Sequence, residues 1–308
     1  MKAIVAAPGS EGGVRIDEVA DPDPGPDQAV VQVRAVSLNR GECVALRAAD
    51  EGWRPGWDLA GVVRSAAADG SGPPSGAPVL GWVSGGAWAE LVAVRTGHLA
   101  EIPPSVSFET AATLPVAGLT AAGVLSVTGS LLGARVAITG AAGGVGRFAI
   151  QLAHLAGAHV TAVVGRPERG EGLRDLGADE VVVGLAPEGE PFDLIVESAG
   201  GGSLAAAIAR VAPRGVVVTF GNSSGEPVTF DPRTFYRKGG PTLVGYFVTR
   251  ELEEGRVGSA QLEALATLVA EAHLRSDIAL RRPWTEAAAA IDALLERRVD
   301  GKAVLAVA

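Results

Sequence analysis

The rhythm of apolar and polar positions changes along the chain. Over roughly the first hundred residues, short apolar runs at 2–5, 29–36, 59–63 and 89–94 are separated by turn-rich stretches such as 21–26 and 71–76. That spacing predicts a small, mostly antiparallel β domain, with 71–76 as a hairpin connection. Residues 107–125 turn alanine-rich and helical, with Ser107 as N-cap and Pro115 as an interruption, and this helix pair is expected to join two domains. From 135 to about 248 strand and helix patterns alternate: strands near 136–139, 160–164, 180–183, 193–196, 215–220 and 242–247, helical segments at 148–155, 173–176 and 201–211. Six apolar strands separated by helices predict an α/β fold with a doubly wound parallel sheet. The tail predicts amphipathic helices over 261–274 and 285–298 and a strand over 302–307 that returns to the first domain. There is no internal repeat.

Within the second region, residues 140–146 read Gly-Ala-Ala-Gly-Gly-Val-Gly between a β-branched run and an apolar helix. This order is the first half of a dinucleotide-binding fold, because a diphosphate must approach the backbone closely enough to take hydrogen bonds from amides at a helix start. Gly143, Gly144, Val145 and Gly146 are the expected grip. Ala141 replaces the first glycine of the strict G-x-G-x-x-G pattern, so the assignment rests on the surrounding unit of about 30 residues. The other reading is a glycine-rich turn with no ligand. The second strand runs out into Val-Val-Gly-Arg-Pro-Glu-Arg at 163–169, with no carboxylate at its tip to bind a ribose 2′-hydroxyl. Gly165, Arg166 and Arg169 are therefore expected to receive a 2′-phosphate, and NADPH is the expected cofactor. Against this, Glu168 weakens the basic patch, and both arginines also read as solvated loop residues. Gly221, Asn222 and Ser223 follow the fifth strand at its carboxyl end, where ligands bind in such sheets.

Composition narrows the partners. A chain of 308 residues, 47% hydrophobic, has material for two cores, and its net charge of -9 disfavours nucleic acid. No basic-then-apolar leader precedes the first strand and no apolar stretch approaches the ~18 residues of a spanning helix, so a cytoplasmic protein without membrane contact is expected. One cysteine, Cys43, leaves no intrachain disulfide. Only Lys2, Lys238 and Lys302 are lysines, and with the alanine excess this suggests a GC-rich bacterial genome.

Eight segments in order carry a resemblance: Ser-Leu-Asn-Arg-Gly-Glu at 37–42, Pro-Gly-Trp-Asp-Leu-Ala-Gly at 55–61, Gly-Ala-Trp-Ala-Glu at 86–90, residues 111–121, the glycine turn, Leu-Gly-Ala-Asp at 176–179, Phe-Gly-Asn-Ser-Ser-Gly at 220–225, and Gly301 with Lys302. In these the chain resembles the zinc-free medium-chain dehydrogenase/reductases, close to NADPH-dependent quinone oxidoreductases. The resemblance implies a GroES-like catalytic domain from 1–112 plus 253–308, with a Rossmann cofactor domain, 113–252, inserted. It also implies a homodimer through strand 242–247, whose apolar edge would otherwise stand open. Zinc relatives carry a cysteine near 39 and a His-Glu pair at 57 and 58. Here Asn39, Trp57 and Asp58 stand there, and no metal is expected.

By the same resemblance Asn39, the expected catalytic residue, lies beside the nicotinamide, where its amide bonds a substrate oxygen or the cofactor; its other reading is a turn-forming asparagine. Thr120 is assigned to the cofactor and Thr139 lies next to the same cleft, a structural role standing open for both. Trp53 and Trp57 flank the loop that faces the nicotinamide and would stack on a flat acceptor, while Trp82 and Trp88 are expected in the core. No tyrosine or lysine lies in 38–45, so water or Tyr246 is left as proton donor. The expected activity is hydride transfer from NADPH to a small conjugated carbonyl, a quinone or an α,β-unsaturated ketone. The alternatives are an enoyl-thioester reductase of fatty-acid or polyketide synthesis and a non-catalytic NADPH-binding protein.

Overall fold

The computed structural model describes residues 1–237 and 239–307; Lys238 and Ala308, both within the expected domain ranges, lie outside the described residues. The chain forms two compact units, one of residues 1–119 and 249–308, the other of 120–248.

The first unit opens with an antiparallel pair, β1 (Lys2–Ala6) and β2 (Val14–Glu18). Its main sheet is organised by the eleven-residue β3 (Gln28–Leu38), where Val31, Val33 and Ala35 point inward and Gln32 and Arg34 outward. That alternation is the period of a half-buried strand. Helix α1 (Arg40–Leu46) follows at once, then β4 (Asp58–Ser65), β5 (Pro78–Trp82), β6 (Leu91–Arg95), β7 (Leu99–Glu101) and α2 (Phe108–Ala112). As expected, residues 71–76 connect an antiparallel pair, β4 and β5.

The second unit takes most of α3 (Pro115–Ser126) and then alternates: β8 (Arg135–Thr139), α4 (Gly144–Leu155), β9 (His159–Val164), β10 (Glu180–Val183), β11 (Phe192–Glu197), α5 (Gly201–Arg210), β12 (Val211–Thr219), α6 (Pro232–Tyr236) and β13 (Thr242–Gly245). All six strands pair in parallel, in the order β10-β9-β8-β11-β12-β13. Strand order reverses between β8 and β11, and ligands of such sheets bind at the carboxyl ends beside that point.

The chain then returns to the first unit through α7 (Val248–Glu253), α8 (Ser259–Ala270), β14 (Ile278–Pro283), α9 (Ala287–Leu295) and β15 (Lys302–Ala306). Strand β15 pairs antiparallel with β3, Ala303 opposite Leu38, and completes a seven-stranded sheet. Several boundaries differ from the sequence reading: in the tail α8 ends at Ala270 rather than 274 and α9 at Leu295 rather than 298. Helix α4 begins at Gly144 rather than 148, because the glycines themselves form its first turn; β12 begins at Val211 rather than 215; β13 ends at Gly245 rather than 247.

Candidate functional site

The glycine turn in the second unit is built by close packing. A Cβ on Gly146 would lie 2.6 Å from the Gly140 carbonyl oxygen and 2.7 Å from the Ala141 Cα, so the first turn of α4 can approach the end of β8 only with glycine there. Gly140 has φ 60°, which favours glycine, and its carbonyl accepts from the Gly143 N–H at 2.9 Å. The amides of Gly144, Val145 and Gly146 begin a twelve-residue helix, where the first N–H groups have no intrahelical acceptor and the helix dipole favours an anion. The residues present therefore fit a dinucleotide diphosphate.

Two further loops converge on the turn from the neighbouring strands. At the end of β11 the fully buried Glu197 accepts from the Thr139 hydroxyl at 3.2 Å and from the Ala199 and Gly200 amides at 3.0 and 3.1 Å. The Thr139 hydroxyl in turn accepts from the Ser198 N–H at 2.9 Å. After β12, Ser223 N–H donates to Ser198 O at 3.0 Å and Ser224 N–H to Ala199 O at 2.8 Å. Ser198 is thus the joint: a Cβ on Gly140 would meet its hydroxyl at 2.5 Å, and one on Gly221 its carbonyl at 3.2 Å. Thr139, the glycine turn, Gly221 and Ser223 are brought together, while the Asn222 side chain bonds within its own loop, to Ser224 and to Glu226 O. The sequence reading missed Glu197 and Ser198. Their signal was a polar pair ending an apolar parallel strand.

The remaining cofactor candidates are placed by other elements. Gly165 and Arg166 are exposed at the end of β9, and Arg169 follows in a short 3-10 turn, Pro167–Gly170. A Cβ on Gly165 would meet open space, so no close approach within the chain requires glycine there. Thr120 is buried in α3. Tyr246 packs its ring against the same helix: a Cβ on Gly123 would fall 1.9 Å from the tyrosine hydroxyl.

In the first unit Asn39 sits at the junction of β3 and α1, and its side chain is the hub of a buried ionisable cluster. Its Nδ2 donates to Asp58 Oδ2 at 2.8 Å and to Glu42 Oε1 at 3.1 Å, and its Oδ1 accepts from Lys302 Nζ at 2.7 Å. Glu42 reaches back to accept from the Asn39 N–H at 2.6 Å. Asp58 also accepts from the Val116 N–H at 2.9 Å, and Lys302 donates to Leu38 O at 3.2 Å. Burial and the neighbouring Asp58 charge push Glu42 up to about 8, so at neutral pH it holds its proton. Burial also raises Asp58 and lowers Lys302, while their attraction across 3.7 Å opposes both shifts. The cluster is then one neutral acid and one ion pair, with the charges cancelling. Cys43, buried beside Glu42, has its thiol pushed well up and stays protonated. With both amide hydrogens and its oxygen engaged, Asn39 fastens the start of α1.

The tryptophans divide. Trp82 and Trp88 are fully buried, as expected of core residues. Trp53 packs against the core of the first unit, and Trp57 lies over Gly41, where a Cβ would come within 2.9 Å of its ring. Among the described residues no helix is long and apolar enough to cross a membrane, and no group of three or more His, Cys, Asp or Glu could hold a metal.

A doubly wound parallel sheet with a glycine turn at its first strand, set into a mostly β chain closed by its own C-terminal strand, defines a nicotinamide-dependent oxidoreductase. The zinc-binding dehydrogenase family model matches residues 144–266. A quinone oxidoreductase of Pseudomonas aeruginosa is 31% identical over 236 residues, 71% of each chain. The spectinabilin polyketide synthase system protein NorB of Streptomyces orinoci is 34% identical over 209 residues, 64% of this chain and 10% of that one. The Escherichia coli quinone oxidoreductase solved with NADPH shares the fold, with a TM-score of 0.88 over 99% of this chain and 100% of that one, at 22% identity. The chain belongs to the medium-chain dehydrogenase/reductase family, in its quinone oxidoreductase-like branch, and its two parts are the GroES-like and Rossmann folds of that family.

Proposed function

We propose that the chain is an NADPH-dependent, zinc-independent reductase of quinones or α,β-unsaturated carbonyls. The observation that carries this reading is the glycine turn, where Gly146 lets the first turn of α4 pack against the end of β8 and the leading amides of the helix lack intrahelical acceptors. The main-chain amides of Gly144–Gly146 would hold it, with Gly221, Asn222 and Ser223 on the same loops and Gly165, Arg166 and Arg169 toward the 2′-phosphate; Thr120 remains a cofactor contact by resemblance. Reduction of an enone takes a hydride from bound NADPH at the β-carbon and a proton from water at the α-carbon, leaving NADP+ and the saturated carbonyl. The protein's part is to position the reactants and exclude competing chemistry.

Zinc independence is supported by the residues themselves. Where zinc relatives carry ligands, this chain has Asn39 and Asp58 bonded to each other and to the Lys302 ammonium, which supplies the positive charge internally. We assign Asn39 a positioning role in the first unit, and Trp57 a wall for a flat acceptor. The exposed edge strand β13 supports a homodimer by strand pairing. Purified protein mixed with p-benzoquinone or cyclohexenone should consume NADPH faster than NADH, unaffected by a zinc chelator. Cofactor binding without consumption across a broad acceptor panel would leave a non-catalytic NADPH-binding protein. Similarity to the polyketide synthase protein supports a second reading, an enoyl-thioester reductase. Faster reduction of crotonyl-coenzyme A than of any quinone would favour it.

A further inference from the structure

The segment from Trp53 to Trp57 is laced to the segment from Val83 to Trp88. Gly86 N–H donates to Arg54 O at 3.0 Å, Ala87 N–H to Gly56 O at 3.1 Å, Trp88 N–H to Pro55 O at 3.3 Å and Val83 N–H to Trp57 O at 2.9 Å. Gly56, at φ 111°, packs so closely that a Cβ would fall 2.4 Å from the Trp88 ring. The backbone that carries Arg54 is therefore fixed. Its guanidinium rests beside Gly86, where a Cβ would stand 3.7 Å from Cζ, Nε and Nη2.

Arg54 differs from many other arginines of the chain. Arg15, Arg47, Arg250, Arg256 and Arg298 each pair with a carboxylate of this acidic chain. Arg54, among the described residues, has neither an ion pair nor a side-chain hydrogen bond, and its Nε is buried without a partner. Burial alone acts on it, lowering its pKa, with no neighbouring charge to offset the loss of water. Packing of the aliphatic stem explains why a long side chain lies there, but a partly buried cation on a rigid loop without a counter-ion costs stability and does nothing for the core. A neutral quinone's carbonyl oxygen would accept a hydrogen bond there but would leave the charge unbalanced.

We infer that Arg54 binds an anionic oxygen group of the substrate, so that the acceptor is an acidic conjugated carbonyl, carrying either a carboxylate or a phosphate. With Nε closed off, the terminal nitrogens present the two parallel donors that suit such a group. The substrate role rests on the reductase reading, while anion binding at Arg54 does not.

Two matched pairs of probes separate the sources: β-acetylacrylate against its methyl ester for a carboxylate, and crotonyl-coenzyme A against crotonyl N-acetylcysteamine for a phosphate. Binding is read by quenching of tryptophan fluorescence, since Trp53 and Trp57 flank the site, and turnover by NADPH consumption. The anionic member of one pair should bind about tenfold or more tighter than its neutral partner. Arg54→Gln should erase that preference through KM with little change in kcat, and Arg54→Lys should keep part of it. Equal binding of both members in both pairs, or a preference that survives in Arg54→Gln, would overturn the inference. If Arg54→Gln does not fold, Arg54→Lys with unchanged preference in turnover and binding overturns it as well. Absence of NADPH consumption with every probe would sink the reductase reading alone, because the fluorescence titration still decides whether Arg54 binds the anion.

Discussion

At the scale of single residues, two positions are held by steric and electrostatic necessity. Gly146→Ala forces a methyl into backbone at 2.6 Å, so we expect about 1–3 kcal/mol of destabilisation and at least a tenfold rise in the NADPH dissociation constant, measured by thermal melting and by fluorescence titration. Lys302→Met removes the cation that balances Asp58 and should cost about 3–5 kcal/mol in urea unfolding, most of it recovered in the Lys302→Met, Asp58→Asn double variant. Glu42 gives a pH signature. Its pKa in the folded protein, about 8, lies above the ordinary carboxylate value of 4.5, so the folded state binds the extra proton between those limits. The resulting stabilisation is fully present below the lower value and is lost as pH rises through about 8. Glu42→Gln should therefore flatten the fall in melting temperature between pH 6 and 9; an unchanged fall would show that Glu42 does not carry it. The glycine turn was legible in the sequence because all its parts are adjacent. The cluster was not: Asn39, Glu42 and Asp58 meet Lys302 only because β15 lies beside β3, a pairing no local pattern encodes.

At the scale of elements, the parallel strands of the second unit were legible because each is an apolar run between helices. Among the elements that escaped, β2, β7 and β14 are short or charged: β2 reads Val-Arg-Ile-Asp-Glu and β14 ends Arg-Arg-Pro. Strands β7 and β14 close the two ends of their sheet, where one side faces no partner strand and polar residues are tolerated. Strand β13 stands at the equivalent edge of the other sheet with Leu243 exposed, and Phe247 just beyond it. If a second copy pairs there, Leu243→Arg should convert a dimer into a monomer in light scattering with little change in melting of the isolated fold. The Tyr246 ring lies against α3 at Gly123, so Gly123→Val should expel the ring and lower the melting temperature.

At the scale of the whole molecule, the residues proposed to hold the cofactor all lie in the unit of residues 120–248, whereas the other unit is assembled from segments on both sides of it. Saturating NADPH should therefore raise the melting of the inserted unit by the ordinary mass-action term, about 2.7 kcal/mol at a hundred times its dissociation constant. The ammonium paired with Asp58 belongs to Lys302, 244 residues further along the chain. During translation the amino-terminal sheet must wait, with its future interior carboxylates still wet and β3 lacking a neighbour, until well over two hundred further residues have been made. The inserted sheet, contiguous in sequence, is free to fold in that interval. Premature release a few codons short of β15 would thus yield a chain whose cofactor half is sound and whose other half is a substrate for chaperones and proteases.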